Sequence, residues 1–217
     1  MLKVVSFKIC PFVQRVTALL EVKDVPYEVA YIDLGNKPRW FLDISPTGQV
    51  PVLITEGGTA LFESDAIAEY LDEAYPRLRD VPAEERAHER AWSYQAAKHY
   101  LVQCSAMRSK DAETLHERSA KLAKAFARAE AQLGKGPFFH GDELGNVDVA
   151  WLPLLHRADL VRRHAGYDFL REFPKTRAWQ KALVASGLAE RSVADDFTEK
   201  FGAFYLSSET HLGRLGL

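Results

Sequence analysis

The spacing of apolar residues changes along the chain, and the change divides it in two. The opening LKVVSFKI holds Val4, Val5 and Phe7 in a short β-prone run. From Pro11 onward Phe12, Val16, Leu19 and Leu20 recur at steps of three and four, the period of an amphipathic helix. Pro11 suits the first helical position, where its missing N–H leaves no bond unmade. Tyr27 to Ile32 alternates like a second strand. VPVLI (50–54) and TALF (59–62) flank EGG, which predicts a hairpin. Ser64, Ile67, Tyr70 and Leu71 then mark a helix ending near Tyr75-Pro76. The order β-α-β followed by β-β-α predicts an α/β domain with a mixed sheet over residues 1–76.

After the charged, proline-containing stretch YPRLRDVPAEE, no strand pattern returns. We expect a linker over 77–85 and an all-helical domain over 86–217, with a long helix spanning about 83–108. Asp111 is placed to cap the next helix, whose stripe is Leu115, Leu122, Phe126, Ala129 and Leu133. Gly134, Gly136 and Pro137 stop it. A further helix runs from Asn146 through Leu154, Leu155, Ala158 and Val161, with Pro153 inside it, where a kink or a cost of roughly 3 kcal/mol is expected. FPKTRAWQKALVAS (173–186) and the tail from Asp195 to Tyr205 read as two more.

Composition narrows the function classes. The 217 residues carry 28 basic and 30 acidic side chains, a formal charge of −2 with no block of one sign, so nothing favours nucleic acid or an anionic membrane as partner. No apolar run approaches the roughly 18 residues of a membrane helix, and no secretory leader is apparent, so the cytoplasm is the expected location. Two cysteines make no disulfide framework, and no Cys/His spacing suggests a metal site.

One of those cysteines, Cys10, stands where the first strand gives way to the first helix, directly before Pro11. Unpaired N–H groups and the helix dipole favour negative charge there, so the thiol pKa is expected to be lowered and the sulfur reactive. A small buried hydrophobe is the plainer reading of a free cysteine, but a strand-to-helix turn before proline favours the reactive one. Val13 stands where a dithiol motif would need a second cysteine, and Cys104 lies in the helical half as a packing residue. Cys10 is therefore expected to act alone. Arg15, a little over one turn along, reads more readily as an ion-pair partner than as an aid to the thiolate.

Together these stretches resemble the cytosolic glutathione transferases, within them the cysteine-type group close to the omega class. The resemblance rests on Cys10-Pro11-Phe12, Lys37-Pro38 before Trp40-Phe41, Gln49-Val50-Pro51-Val52-Leu53, Glu63-Ser64 and Tyr70 through Pro76, and covers nearly the whole chain. It implies a thioredoxin-like domain followed by a helical bundle, glutathione as co-substrate and a homodimer. It also implies that Pro51 is cis, with the Val50 backbone pairing with glutathione. Glu63 and Ser64 would hold the γ-glutamyl end, Lys37 would meet the glycyl carboxylate, and Phe12 would wall the pocket. Gly145, three residues before Asp148, replaces the Ser or Thr usual in the family, so the double helix cap there is incomplete. With cysteine in place of an activating Tyr or Ser, the implied chemistry shifts from conjugation towards thiol transfer and reduction through a mixed disulfide. Lyase or reductive dehalogenase action on aromatic compounds, or a non-catalytic binding or regulatory module, are the alternatives.

The second substrate is expected to be small and hydrophobic or electrophilic. It would sit between the domains, with Trp92, Tyr94, Tyr100, Met107 and Trp179 available to line its site. Asp65, Arg86 and Arg90 are available for polar pairs across a dimer contact.

Overall fold

The computed structural model describes residues 1–216. Its first part holds β1 (Leu2–Ser6), α1 (Pro11–Val22), β2 (Tyr27–Tyr31), α2 (Arg39–Ile44), β3 (Val52–Ile54), β4 (Ala60–Phe62) and α3 (Ser64–Ala74). The four strands form one sheet in the order β2-β1-β3-β4. β1 pairs parallel to β2, with Val4 opposite Val29, and antiparallel to β3, with Val5 opposite Val52. β3 and β4 form the hairpin, closed by Thr55 and Thr59 around Gly57-Gly58. This is a thioredoxin-like mixed sheet.

Alternation along the central strand explains the layering, since successive side chains point to opposite faces. Leu2 and Val4 join Val13, Val16, Leu20, Ile67 and Leu71 in the core under α1 and α3. Val5 and Val52 face the other way and pack against Phe41 of α2. Phe41 is fully buried, which stabilises that layer by about 1.5–3 kcal/mol. Helix α2 is missing from the sequence reading for a physical reason: it has six residues and buries one of them, too few to show a period.

The second part is helical throughout: α4 (Ala83–Met107), α5 (Ala112–Gln132), α6 (Asn146–Ala165), α7 (Pro174–Ala185), α8 (Leu188–Arg191), α9 (Phe197–Tyr205) and α10 (His211–Leu215). Helix α4 begins inside the segment expected as linker. Asp111 caps α5 as its residue type predicts, accepting from the Thr114 N–H at 2.8 Å. Helix α6 is the centre of the bundle. Every residue from Val147 to Val161 is buried, and the helix runs unbroken through Pro153.

At the start of α6 the Asp148 carboxylate accepts from the N–H of Gly145 (2.8 Å), the N–H of Phe139 (2.9 Å) and the indole Nε1 of Trp179 (2.6 Å). Gly145 has no side chain to return a bond, so half of the double cap is absent, as its identity requires. No described helix is long and apolar enough to cross a membrane.

Candidate active site

Strand register gathers the candidate residues at one end of the sheet. β1 ends at Ser6 and leads to Cys10; β2, parallel to it, ends at Tyr31 and leads to Lys37. β3 runs the other way and begins opposite Val5, so Val50-Pro51 lies just beyond the end of β1. β4 ends at Phe62, opposite Val52, and leads directly to Glu63 and Ser64. The Val50-Pro51 peptide is cis.

Each residue has a distinct setting. Cys10 is the extended N-terminal cap of α1 (φ −73°, ψ 123°), and its carbonyl accepts the Gln14 N–H at 3.1 Å. Phe12 is half-buried, its ring edge-on to Tyr100 of α4. Lys37 is half-buried and folds over the turn before Val50: its Nζ lies 3.7 Å from where a Cβ on Gly48 would stand. Gly48 holds φ +63°, a conformation that glycine adopts without steric cost. Ser64 is buried at the first position of α3. Glu63, exposed, caps that helix at φ 66°, where a residue with a Cβ is strained by on the order of 1–3 kcal/mol. Its carbonyl still accepts the Ile67 N–H at 2.9 Å.

The ionisation of Cys10 departs from the sequence expectation. The backbone N–H groups of Phe12 and Val13 at the start of α1 and the Arg157 guanidinium favour the anion, and all three pull the pKa down. Burial outweighs them and pushes the thiol up to about 11. The residue keeps a partly open surface, yet protein encloses the sulfur on most sides. A helix N-terminus favours the anion only by the strength of a few dipoles, whereas desolvation acts on the whole charge.

Other expected side chains are drawn into different roles. Trp179, Tyr100 and Met107 are fully buried in the helical core, Trp92 packs on Phe139 and Trp151, and the Tyr94 hydroxyl donates to Glu69 at 3.1 Å. The open space beside the site is instead a cleft of 460 Å³ lined by Phe7, Lys8, Tyr31 and Ile32 on one side and Lys200 and Phe204 on the other. Periodicity marks aromatics as inward-facing but does not separate a core from a cleft wall. Asp65 pairs with buried Arg15, and Arg90 with Glu69, so both are engaged within the chain. Glu85, Glu89 and His140 bring ligand atoms within 4.8 Å of one another, but Arg79 already donates to both carboxylates, making an ion-pair network.

One residue beside the site escaped the sequence reading. Arg157 is fully buried in α6 and donates to the carbonyl of Ile9, one residue before Cys10. Its signal was present: it falls on the apolar stripe of α6 with Leu154 and Val161, where a charge is out of pattern.

Comparison with known proteins identifies the family. The family models described as glutathione S-transferase N-terminal domain and C-terminal domain match residues 4–85 and 112–182. A probable glutathione S-transferase DHAR1, cytosolic, of Oryza sativa subsp. japonica is 34% identical over 177 residues, covering 81% of this chain and 80% of its own. The glutathione S-transferase omega-1 of Rattus norvegicus is 29% identical over 222 residues, covering 100% and 90%. Among solved structures, rice GST1 in complex with glutathione superposes with a TM-score of 0.79 at 28% identity, covering 100% of this chain and 97% of that one. The chain belongs to the cytosolic glutathione S-transferase family, close to its omega class, and glutathione is its co-substrate.

Proposed function

We propose that this glutathione transferase is a thiol transferase or reductase that works through Cys10 alone. The observation that carries the reading is the place of Cys10: the extended cap of α1, at the sheet end shared by Lys37, Val50, Pro51, Glu63 and Ser64. A reacting sulfur stands where other classes use a hydroxyl that only polarises glutathione.

The reaction has two exchanges. The Cys10 thiolate attacks the glutathionyl sulfur of a mixed disulfide, forming Cys10–S–S–G as the substrate thiolate leaves and takes a proton. A second glutathione, as thiolate, attacks the glutathionyl sulfur of that adduct, and Cys10 leaves as thiolate with glutathione disulfide as product. In this reading Lys37 meets the glycyl carboxylate. Ser64 and the first N–H groups of α3 hold the γ-glutamyl carboxylate, with Glu63 on its ammonium. The Val50 backbone pairs with the cysteinyl portion, and Phe12 walls the sulfur. The second substrate, small and hydrophobic or electrophilic, occupies the cleft between Tyr31 and Phe204, whose lining is mostly apolar.

The same reading takes residues 1–76 as the glutathione domain, 77–85 as linker and 86–217 as the helical domain, acting as a cytoplasmic homodimer. Light scattering checks the dimer without bearing on the chemistry.

The test pairs retention on immobilised glutathione with reduction of a small glutathionyl disulfide. Cys10→Ala should keep retention and lose turnover. Full turnover in Cys10→Ala refutes the role of the sulfur, and retention without turnover in the wild type supports a binding module instead.

A further inference from the structure

Arg157 is completely buried. Its Nη1 donates to the Gln14 side-chain oxygen and to the Pro153 carbonyl (3.0 Å), and its Nη2 to the Ile9 carbonyl at 3.0 Å. All three acceptors are neutral. Among the described residues no carboxylate pairs with Arg157, and its Nε–H is buried without any acceptor. Burying a cation with no counter-charge costs several kcal/mol, so such a group calls for an anion.

Few neighbours can supply one. The titratable groups facing the guanidinium are Cys10 at the cap of α1, Cys104 and Tyr100 on α4, Tyr205 on α9 and His156 beside it on α6. Burial pushes both tyrosines up, so they stay neutral. His156, its Nδ1 2.9 Å from the Gln14 amide nitrogen, is pushed down to about 3 and stays neutral too. That leaves the two sulfurs. Cys10 is the one that directly follows the carbonyl Arg157 holds and that stands at the N-terminal cap of α1.

We propose that Arg157 is a positioning residue for the thiol exchange: its guanidinium, fixed in place before reaction, holds the negative charge that appears on the Cys10 sulfur. This rests on Cys10 being the reacting sulfur. When glutathione attacks Cys10–S–S–G, the Cys10–sulfur bond breaks as the glutathione disulfide bond forms. The electron pair of the broken bond goes to Cys10, so no further oxidant or reductant is needed. The charge arrives beside a cation that needs no reorganisation, which is where such preorganisation is most effective. The free Nε–H and the absent carboxylate follow from this role, because a permanent counter-ion would cancel the field at the sulfur.

The competing role is a strut that ties α6 to α1 and to the turn before Cys10. A strut affects stability but not the ionisation of the sulfur. The experiment follows alkylation of Cys10 by iodoacetamide against pH in the full chain, resolved by peptide mass spectrometry. Arg157→Met should slow Cys10 alkylation at pH 8 by about tenfold or more and move the curve to higher pH, while Arg157→Lys, which keeps the charge, should recover most of the rate. A folded Arg157→Met chain with the wild-type curve overturns the proposal.

If Arg157→Met does not fold, the wild type answers through the ratio of iodoacetate to iodoacetamide rates. A cation beside the sulfur should raise that ratio about severalfold above the value for N-acetylcysteine amide, and a ratio at or below that value overturns the proposal. These readouts do not depend on turnover, so an idle Arg157 and an idle Cys10, seen as retained turnover in Cys10→Ala, are told apart.

Discussion

The ring of Phe12 meets the ring of Tyr100 edge-on, with centroids 5.0 Å apart and planes at 72°. The pair joins the residue two after Cys10 to the helical domain, and the Tyr100 hydroxyl donates to the Ala150 carbonyl inside that domain. Tyr100→Phe loses one hydrogen bond and should cost about 1 kcal/mol in urea unfolding. Tyr100→Ala leaves a large cavity and should cost about 3–5 kcal/mol. An alanine variant within 1 kcal/mol of the wild type would mean that this joint contributes little.

In the proposed mechanism Cys10 sets the pH dependence. Its thiol is pushed up to about 11, above the ordinary cysteine range, so the proton is held at neutral pH. The thiolate fraction therefore grows about tenfold for each pH unit well below that value. Alkylation of Cys10 in the unliganded chain should climb steadily from pH 6 to pH 9. A plateau near pH 7 contradicts the dominance of desolvation at this sulfur.

Asp148 ties α6 to α7 and to the loop before Gly145 through three buried N–H donors. Asp148→Ala leaves all three unpaired and should destabilise the chain by about 3 kcal/mol or more, read by chemical denaturation. Burial also raises this carboxyl to about 6, from an unfolded value of 3.8. The folded state therefore holds the proton where the unfolded state has lost it, so this group's contribution is fully present below pH 3.8 and is lost as pH rises towards 6. Against Asp148→Asn, which does not titrate, the wild type should lose stability by on the order of 2 kcal/mol between pH 4 and pH 7. A difference that stays flat, or grows with pH, contradicts the sign.

Lys37 lies over the Gly48 turn. In its proposed role it binds glutathione equally in the ground and transition states. Lys37→Ala should then raise KM for glutathione about three- to tenfold and leave kcat within about twofold. An unchanged KM removes Lys37 from the binding site.

Much of this molecule is legible along the chain, and particular residues show why. Pro11 at the first turn of α1 and the glycines between β3 and β4 act through their own backbone geometry, and Asp111 at the cap of α5 through a side-chain bond to the Thr114 N–H three residues on, so their effects appear where they stand. Helix α2, whose one buried residue is Phe41, leaves no such trace. Neither does the cleft, because Tyr31 and Phe204 come from opposite halves of the chain and meet only once the halves pack. The aromatics that looked available, Trp179 and Tyr100 among them, show the limit of periodicity. It tells which face of a helix turns inward, not whether another helix or a ligand lies against it.

By itself the sequence determined the order of elements, the division into a sheet half and a helical half, and a cysteine at the junction of strand and helix. These depend on short-range spacing and on the conformations single residues permit. The tertiary structure alone decided that the sulfur would be desolvated more than its helix dipole compensates, and that Arg157 would lie beside it with no carboxylate. Solvation and electrostatic interaction add up over every atom near a group, and the groups that act on Cys10 include Arg157 on α6 and Cys104 on α4, which come from the other half of the chain.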